Sequence, residues 1–182
     1  MLIRRLMANP PEAMPLYFAY GSNISVQAMA RRCPRSKALD LARLERHRLA
    51  VMREGWLTAV PDARSAVHGV LWNLALSDVP ALDRYEGLSQ GLYTKVAQPV
   101  IAPGGAKRAL VYFGANAGPG VAAADYIAAV LAAARHWRLP AATIARLEAF
   151  AAAARVAQPA APTGVRPGPS ARPRFATPFD WK

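Results

Sequence analysis

The sequence predicts an α+β domain around a mostly antiparallel or mixed sheet. Three observations carry this. Short strand-like apolar segments fill the first two thirds of the chain. A capped helix near residues 78–86 interrupts them. Alanine-rich helical segments come last, from residue 121. Strands first and helices last lack the regular βαβ alternation of a dinucleotide-binding fold. Neither G-x-G-x-x-G nor a P-loop pattern occurs, which weakens any nucleotide-binding reading.

Taken in order, residues 1–15 read as a flexible lead-in. Leu16-Tyr17-Phe18-Ala19-Tyr20 is an aromatic run ending at Gly21, as in a buried strand entering a turn. Ser25 can cap a short helix to about Arg32, stopped before Pro34. Residues 38–52 read as one or two half-exposed strands. Residues 57–60 form another, ended by the turn signal Pro61-Asp62. Val67 to Leu74 is a stronger strand. Ser77 is the expected N-cap of a helix from Asp78 to about Glu86, with Pro80 in its first turn and Gly87 as its stop.

Tyr93 to Ile101 and Arg108 to Phe113 read as two strands joined at Pro103-Gly104-Gly105, a hairpin with a longer loop. Residues 121–138 read as a helix bearing Tyr126, Ile127, Val130, Leu131 and Trp137. Pro140 opens a second helix with Ile144, Leu147 and Phe150. The domain is therefore expected over residues 16–154. Residues 155–182 read as an irregular Pro/Arg-rich tail, whose Phe175, Phe179 and Trp181 could dock on the body.

At 182 residues and 53% hydrophobic, the chain can bury one real core. No apolar run approaches a membrane span, and Met1 to Pro11 lacks the features of a signal peptide, so the expected location is the cytoplasm. The single cysteine, Cys33, excludes an internal disulfide framework and a multi-cysteine metal site. A net charge of +12 suits steering of an anionic substrate or a nucleic-acid partner. The arginines are scattered rather than clustered, which disfavours dedicated nucleic-acid binding. A homodimer is left open.

Two segments can carry chemistry. The first is Tyr17-Phe18-Ala19-Tyr20-Gly21-Ser22-Asn23. A strand ending in Gly-Ser-Asn before a helix presents free backbone N–H groups to a carboxylate or an oxyanion. Gly21 permits close approach, and Ser22 and Asn23 add side-chain donors. The same residues also suit a plain strand–turn–helix junction. The second is Leu82-Asp83-Arg84-Tyr85-Glu86-Gly87. Val79, Leu82 and Glu86 fall at i, i+3 and i+7, which puts a carboxylate on an apolar helix face. Burial and the helix C-terminus both raise its pKa and suit it to take a proton near neutral pH. A structural pairing with an arginine is the competing reading.

Other residues offer less. His47, His68 and His136 fit no metal-ligand spacing. Cys33 lies near Arg31, Arg32 and Arg35 but has no evident base partner. Ser22 is in no G-x-S-x-G elbow.

In this order the motifs resemble the γ-glutamylcyclotransferase-like family. The resemblance rests on Tyr20-Gly21-Ser22-Asn23, Arg32-Cys33-Pro34, Val67-His68-Gly69-Val70-Leu71-Trp72 and Leu82-Asp83-Arg84-Tyr85-Glu86-Gly87. It continues through Tyr93, Leu110-Val111-Tyr112, Tyr126 and Leu139-Pro140, covering about residues 16–150. It implies a small mixed β-barrel-like sheet flanked by helices, with the site at one mouth and neither metal nor organic cofactor. It also implies that the α-amine of a small γ-glutamyl substrate attacks its own γ-carbonyl, releasing 5-oxoproline and an amine. Glu86 would be the general acid/base. Tyr17 to Ser22 would line the glutamyl pocket, with Tyr126 and Tyr93 reaching the substrate. The alternative is a member of the fold with other specificity or none, acting as a binding module through its basic surface and tail.

Overall fold

The computed structural model describes residues 14–157. The expected lead-in before residue 14, and the tail with Phe175, Phe179 and Trp181, lie outside the described residues.

Five strands close into a barrel in the order β1-β3-β2-β4-β5. They are β1 (Leu16–Ala19), β2 (Lys37–Val51), β3 (Leu57–Asn73), β4 (Tyr93–Ala102) and β5 (Gly105–Gly114). Neighbours run antiparallel except β1 and β5, whose parallel bridge at Tyr17 and Leu110 closes the ring. The helices are α1 (Val26–Arg32), α2 (Val79–Tyr85), α3 (Ala124–His136) and α4 (Ala141–Ala157). The expected α+β fold with a mixed barrel-like sheet flanked by helices is the one found.

The first elements form as their residues dictate. Phe18 and Ala19 of β1 are buried, as an unbroken apolar run requires. Ser25 caps α1 by accepting a hydrogen bond from the Ala28 N–H at 3.2 Å, and Cys33 ends it ahead of Pro34.

β2 and β3 differ from expectation. Residues 57–60 and 67–74 are not separate strands, because β3 runs unbroken through Pro61-Asp62. The turn chemistry is present, with Asp62 accepting from the Arg64 N–H at 3.1 Å and the Ser65 hydroxyl at 2.9 Å. It is absorbed by a bulge opposite Arg46, whose φ is 60°, where the register shifts between Glu45 and His47. Pro61 pairs with His47 at the edge of that bulge, one of the few sheet positions that accept proline.

Ser77 does not cap α2. A 3-10 turn, Leu76–Asp78, precedes the helix, and Asp78 at the cap position bonds elsewhere. Its carboxylate accepts from the Arg35 N–H at 2.9 Å and the Ser36 hydroxyl at 2.8 Å, tying α2 to the loop before β2. The β4–β5 hairpin is tighter than expected. Ala102 pairs with Gly105, so Pro103 and Gly104 (φ 84°) alone make the turn, with the proline-then-glycine order of type II.

α3 buries Ile127, Val130, Leu131 and Ala134. α4 buries Thr143, Leu147, Ala151 and Ala154, while Ile144 and Phe150 stay partly exposed. The helix reaches Ala157, three residues beyond the expected boundary at 154. Pro15 also belongs to the body, since its carbonyl accepts from the Leu74 N–H at 2.9 Å.

Candidate active site

One mouth of the barrel opens into a cleft enclosing about 570 Å³ of empty space, counted out to its opening. It lies between the turn after β1, the β2–β3 hairpin, the end of α2, and the starts of β4 and α3. Tyr17, Phe18, Tyr20, Gly21, Ser22 and Asn23 reach its walls, as do Glu86, Tyr93 and Tyr126. Ala19 does not. It is buried with its carbonyl against Gly69, so of the expected site residues it serves the sheet.

Glu86 is the C-cap of α2, and Gly87 in the left-handed conformation (φ 64°) turns the chain away behind it. Leu82, one turn earlier, is fully buried, and Glu86 is itself 9% exposed. The Asn23 amide donates to Glu86 Oε1 at 2.9 Å and to the Tyr17 hydroxyl at 3.0 Å. Tyr17 donates to the same Oε1 at 3.4 Å. Both bonds converge on Oε1. Among the described residues, no hydrogen bond reaches Oε2.

Burial pushes the Glu86 carboxyl up to about 7. Arg32 opposes this, followed by the Tyr17 and Asn23 bonds, while Asp83 adds to the rise. Desolvation outweighs the rest because a buried carboxylate loses more hydration than two bonds to one oxygen restore.

The competing arginine pairing is met halfway. Arg32 donates to Asn23 Oδ1 at 2.6 Å, so its charge reaches Glu86 through an amide rather than by contact. Among the described residues Glu86 joins no ion pair. The Arg32 guanidinium also sits 3.6 Å above the Tyr85 ring, a cation–π contact.

This gives the Asn23 side chain a different task from the expected donation to a ligand, while its backbone N–H keeps the expected one. Its side chain orients Glu86 and Tyr17 and has no donor left for a ligand. The Ser22 hydroxyl lies 2.8 Å from that of Tyr85. The turn itself keeps its donors. Ser22 and Asn23 open a 3-10 turn, and among the described residues no acceptor engages their backbone N–H groups.

The tyrosines brace the walls. Tyr93 donates to the Leu57 carbonyl at 2.7 Å, and Tyr126 accepts from the Leu57 N–H at 3.2 Å, so two hydroxyls hold one backbone unit. The Tyr20 hydroxyl donates to the Tyr112 carbonyl. Burial holds the phenols of Tyr17, Tyr20, Tyr93 and Tyr126 above their ordinary range, so they remain protonated donors.

Sequence reasoning missed Arg32, Trp56, Leu57, Tyr85 and Tyr112 as parts of the site. Tyr85 adjoins Glu86 and carried a signal. Trp56 and Leu57 lie in a hairpin whose position depends on the β2–β3 register, which no local pattern reveals. Cys33 is buried, and desolvation pushes its thiol up to about 12 against the pull of Arg32. Among the described residues, no group of three or more His, Cys, Asp or Glu could hold a metal ion.

A closed five-stranded barrel with a buried carboxylate beside a Gly-Ser-Asn turn defines a class of small barrel domains. The chain belongs to the family described as Gamma-glutamyl cyclotransferase, AIG2-like, whose model matches residues 17–139. It is 29% identical over 100 residues to human gamma-glutamylcyclotransferase, covering 50% of this chain and 53% of that protein. The mouse gamma-glutamylcyclotransferase is 32% identical over 91 residues, covering 44% and 48%. The chain thus spans about half the length of the curated relatives it matches.

A solved structure titled gamma-glutamyl cyclotransferase superposes with a TM-score of 0.69 at 25% identity, over 74% of this chain and 86% of that one. A human protein described as uncharacterized gives 0.69 at 26% identity, over 76% and 88%. Among the described residues no helix is long and apolar enough to cross a membrane.

Proposed function

We propose that the chain converts a γ-glutamyl amide to 5-oxoproline and a free amine, with Glu86 as general acid/base. The observation that carries this reading is the Glu86 carboxyl. It is buried in the cleft wall, bonded among the described residues through Oε1, and raised to about 7. About half of such a group is ionised at neutral pH, which suits both taking and returning a proton.

The chemistry needs little more. The nucleophile is the substrate's own α-amine, tethered to the carbonyl it attacks, so much of the entropic barrier is absent. Glu86 Oε2 takes a proton from the α-ammonium. The freed lone pair forms the bond to the γ-carbonyl carbon, and the carbonyl oxygen becomes an oxyanion. When the intermediate collapses, the oxyanion re-forms the carbonyl, the bond to the departing amine breaks and Glu86 returns the proton to it; the regenerated carboxylate then takes the second proton from the ring nitrogen, leaving the lactam N–H. The free N–H groups of Ser22 and Asn23 supply donors to a negative oxygen of the glutamyl group. Asn23, held in turn by Arg32, fixes which carboxylate oxygen stays free.

The family match supports the reading, and so does the placement of Tyr17, Tyr20, Gly21, Ser22 and Glu86 on one cleft. The test is to incubate purified protein with γ-glutamyl-alanine and measure 5-oxoproline. Turnover is expected in the native protein and a loss of about 100-fold or more in a folded Glu86→Gln variant. Native-like turnover in that variant would remove Glu86 from the mechanism.

A further inference from the structure

The helix that carries Glu86 is short, at 7 residues, and an ion pair ties its end to the barrel wall. Asp83 stands three residues before Glu86, a spacing that makes side chains neighbours on a helix. Lys95 of β4 donates through Nζ to both Asp83 oxygens, at 2.8 and 2.7 Å. Directly across the sheet from Lys95 is Tyr112 of β5, whose hydroxyl donates to Asp83 Oδ1. Lys95 and Asp83 are each 27% exposed, which makes theirs the least exposed ion pair among the described residues.

The same tyrosine reaches the cleft. Tyr112 lines it, and its ring meets that of Tyr17 edge to face, with centroids 5.6 Å apart. Tyr17 in turn donates to Glu86 Oε1. Asp83 is therefore linked to Glu86 along α2 and also through Tyr112 and Tyr17.

The groups around Glu86 that can carry charge are few. Arg32 comes from α1, and Asp83 and Tyr85 from α2. Tyr17 and Tyr20 come from β1 and its turn, Cys33 from the end of α1, Tyr93 from β4, Tyr112 from β5 and Tyr126 from α3. Burial raises every one of these phenols and the thiol, so they stay neutral near pH 7. Arg32 and Asp83 remain as the leading charges, and they act in opposite directions.

We infer that Lys95 is a positioning residue for Glu86: by neutralising Asp83 it keeps a second negative charge from acting on the Glu86 carboxylate, and it anchors the end of α2 against β4 and β5. Its bearing on rate rests on the proposed cyclisation. An Asp83 without its lysine disfavours the ionised Glu86 that must take the α-ammonium proton. A Lys95 without its aspartate favours that ionised form and weakens it as a proton acceptor.

The test is the titration of Glu86 itself, followed by carboxyl-carbon NMR, with its signal identified by its loss in Glu86→Gln. Lys95→Met should move the midpoint up by roughly half to one pH unit, and Asp83→Asn should move it down by a similar amount. The double variant should return close to the native midpoint, and Lys95→Arg should keep it. A merely structural pair would not give shifts of opposite sign that cancel. Midpoints that move in the same direction in the two single variants, or that do not move, would overturn the assignment. The acid limb of kcat/KM for γ-glutamyl-alanine should follow the titration in each variant. If the native protein makes no 5-oxoproline while the opposed shifts appear, the proposed reaction fails and the action of Lys95 on Glu86 stands.

Discussion

At Glu86 the loss of hydration outweighs the pull of Arg32, and the carboxyl settles at about 7. The rate should follow this one group. As pH rises through about 7, kcat/KM for γ-glutamyl-alanine should climb along a single-proton limb, read from initial rates between pH 5 and 8.5. A flat profile over that range would separate the rate from Glu86. Gly21 makes a second test. Its φ of −108° is not left-handed, but its ψ of −140° lies outside the common β and α regions, and an added Cβ would lie 3.4 Å from the Tyr126 hydroxyl. Gly21→Ala should therefore still fold, at a cost of about 1–3 kcal/mol by denaturant unfolding. Its methyl enters the glutamyl cleft, so kcat/KM should fall roughly 10- to 100-fold. Among single residues, the candidacy of Glu86 was legible because an acid at i+7 on an apolar face is conspicuous. The role of Asn23 was not, because it depends on Tyr17, Arg32 and Glu86 meeting across the fold.

Among elements, β1 and β3 approach closely at Gly69. A Cβ at Gly69 would lie 2.0 Å from the Ala19 carbonyl oxygen, a backbone atom that cannot swing aside. Gly69→Ala should destabilise the protein by about 1–3 kcal/mol, measured by urea unfolding. It should also weaken the site, since β1 leads directly into the Tyr20–Asn23 turn. Native-like stability would show that the two strands can part without cost. Strand and helix identities were readable from periodicity over most of the chain. Their joints were less so. Pro61-Asp62 reads as a turn and is a bulge within β3, because cross-strand bonds to β2 override the local signal. Ser77 reads as a cap, but Asp78 takes the position while its carboxylate serves a loop more than forty residues earlier in sequence.

For the whole molecule, holding Glu86 out of water links stability to pH. The folded pKa of about 7 exceeds the ordinary value of 4.5, so the folded state keeps the proton where the unfolded chain has lost it. That contribution is complete below about pH 4.5 and fades as pH rises through 7. The loss is on the order of 3 kcal/mol. A Glu86→Gln protein has no such proton to lose. Relative to the native chain it should gain stability between pH 5 and pH 8.5 by about that amount, read from denaturant midpoints at both values. An unchanged difference would mean that the carboxyl is hydrated in the folded state. The same substitution that abolishes the proposed chemistry should thus strengthen the fold, as expected where function requires a desolvated charge.

The sequence alone determined the α+β order of elements, the residues of most strands and helices, and the two segments that meet at the cleft. These follow from periodicity, capping and turn chemistry, which act over a few neighbouring residues. Only the tertiary structure decided that Asn23 and Arg32 orient Glu86, that Ala19 belongs to the sheet, and that the β2–β3 hairpin brings Trp56 and Leu57 to the cleft. Such relations depend on barrel closure and strand register, where the energy lies in contacts between residues far apart along the chain.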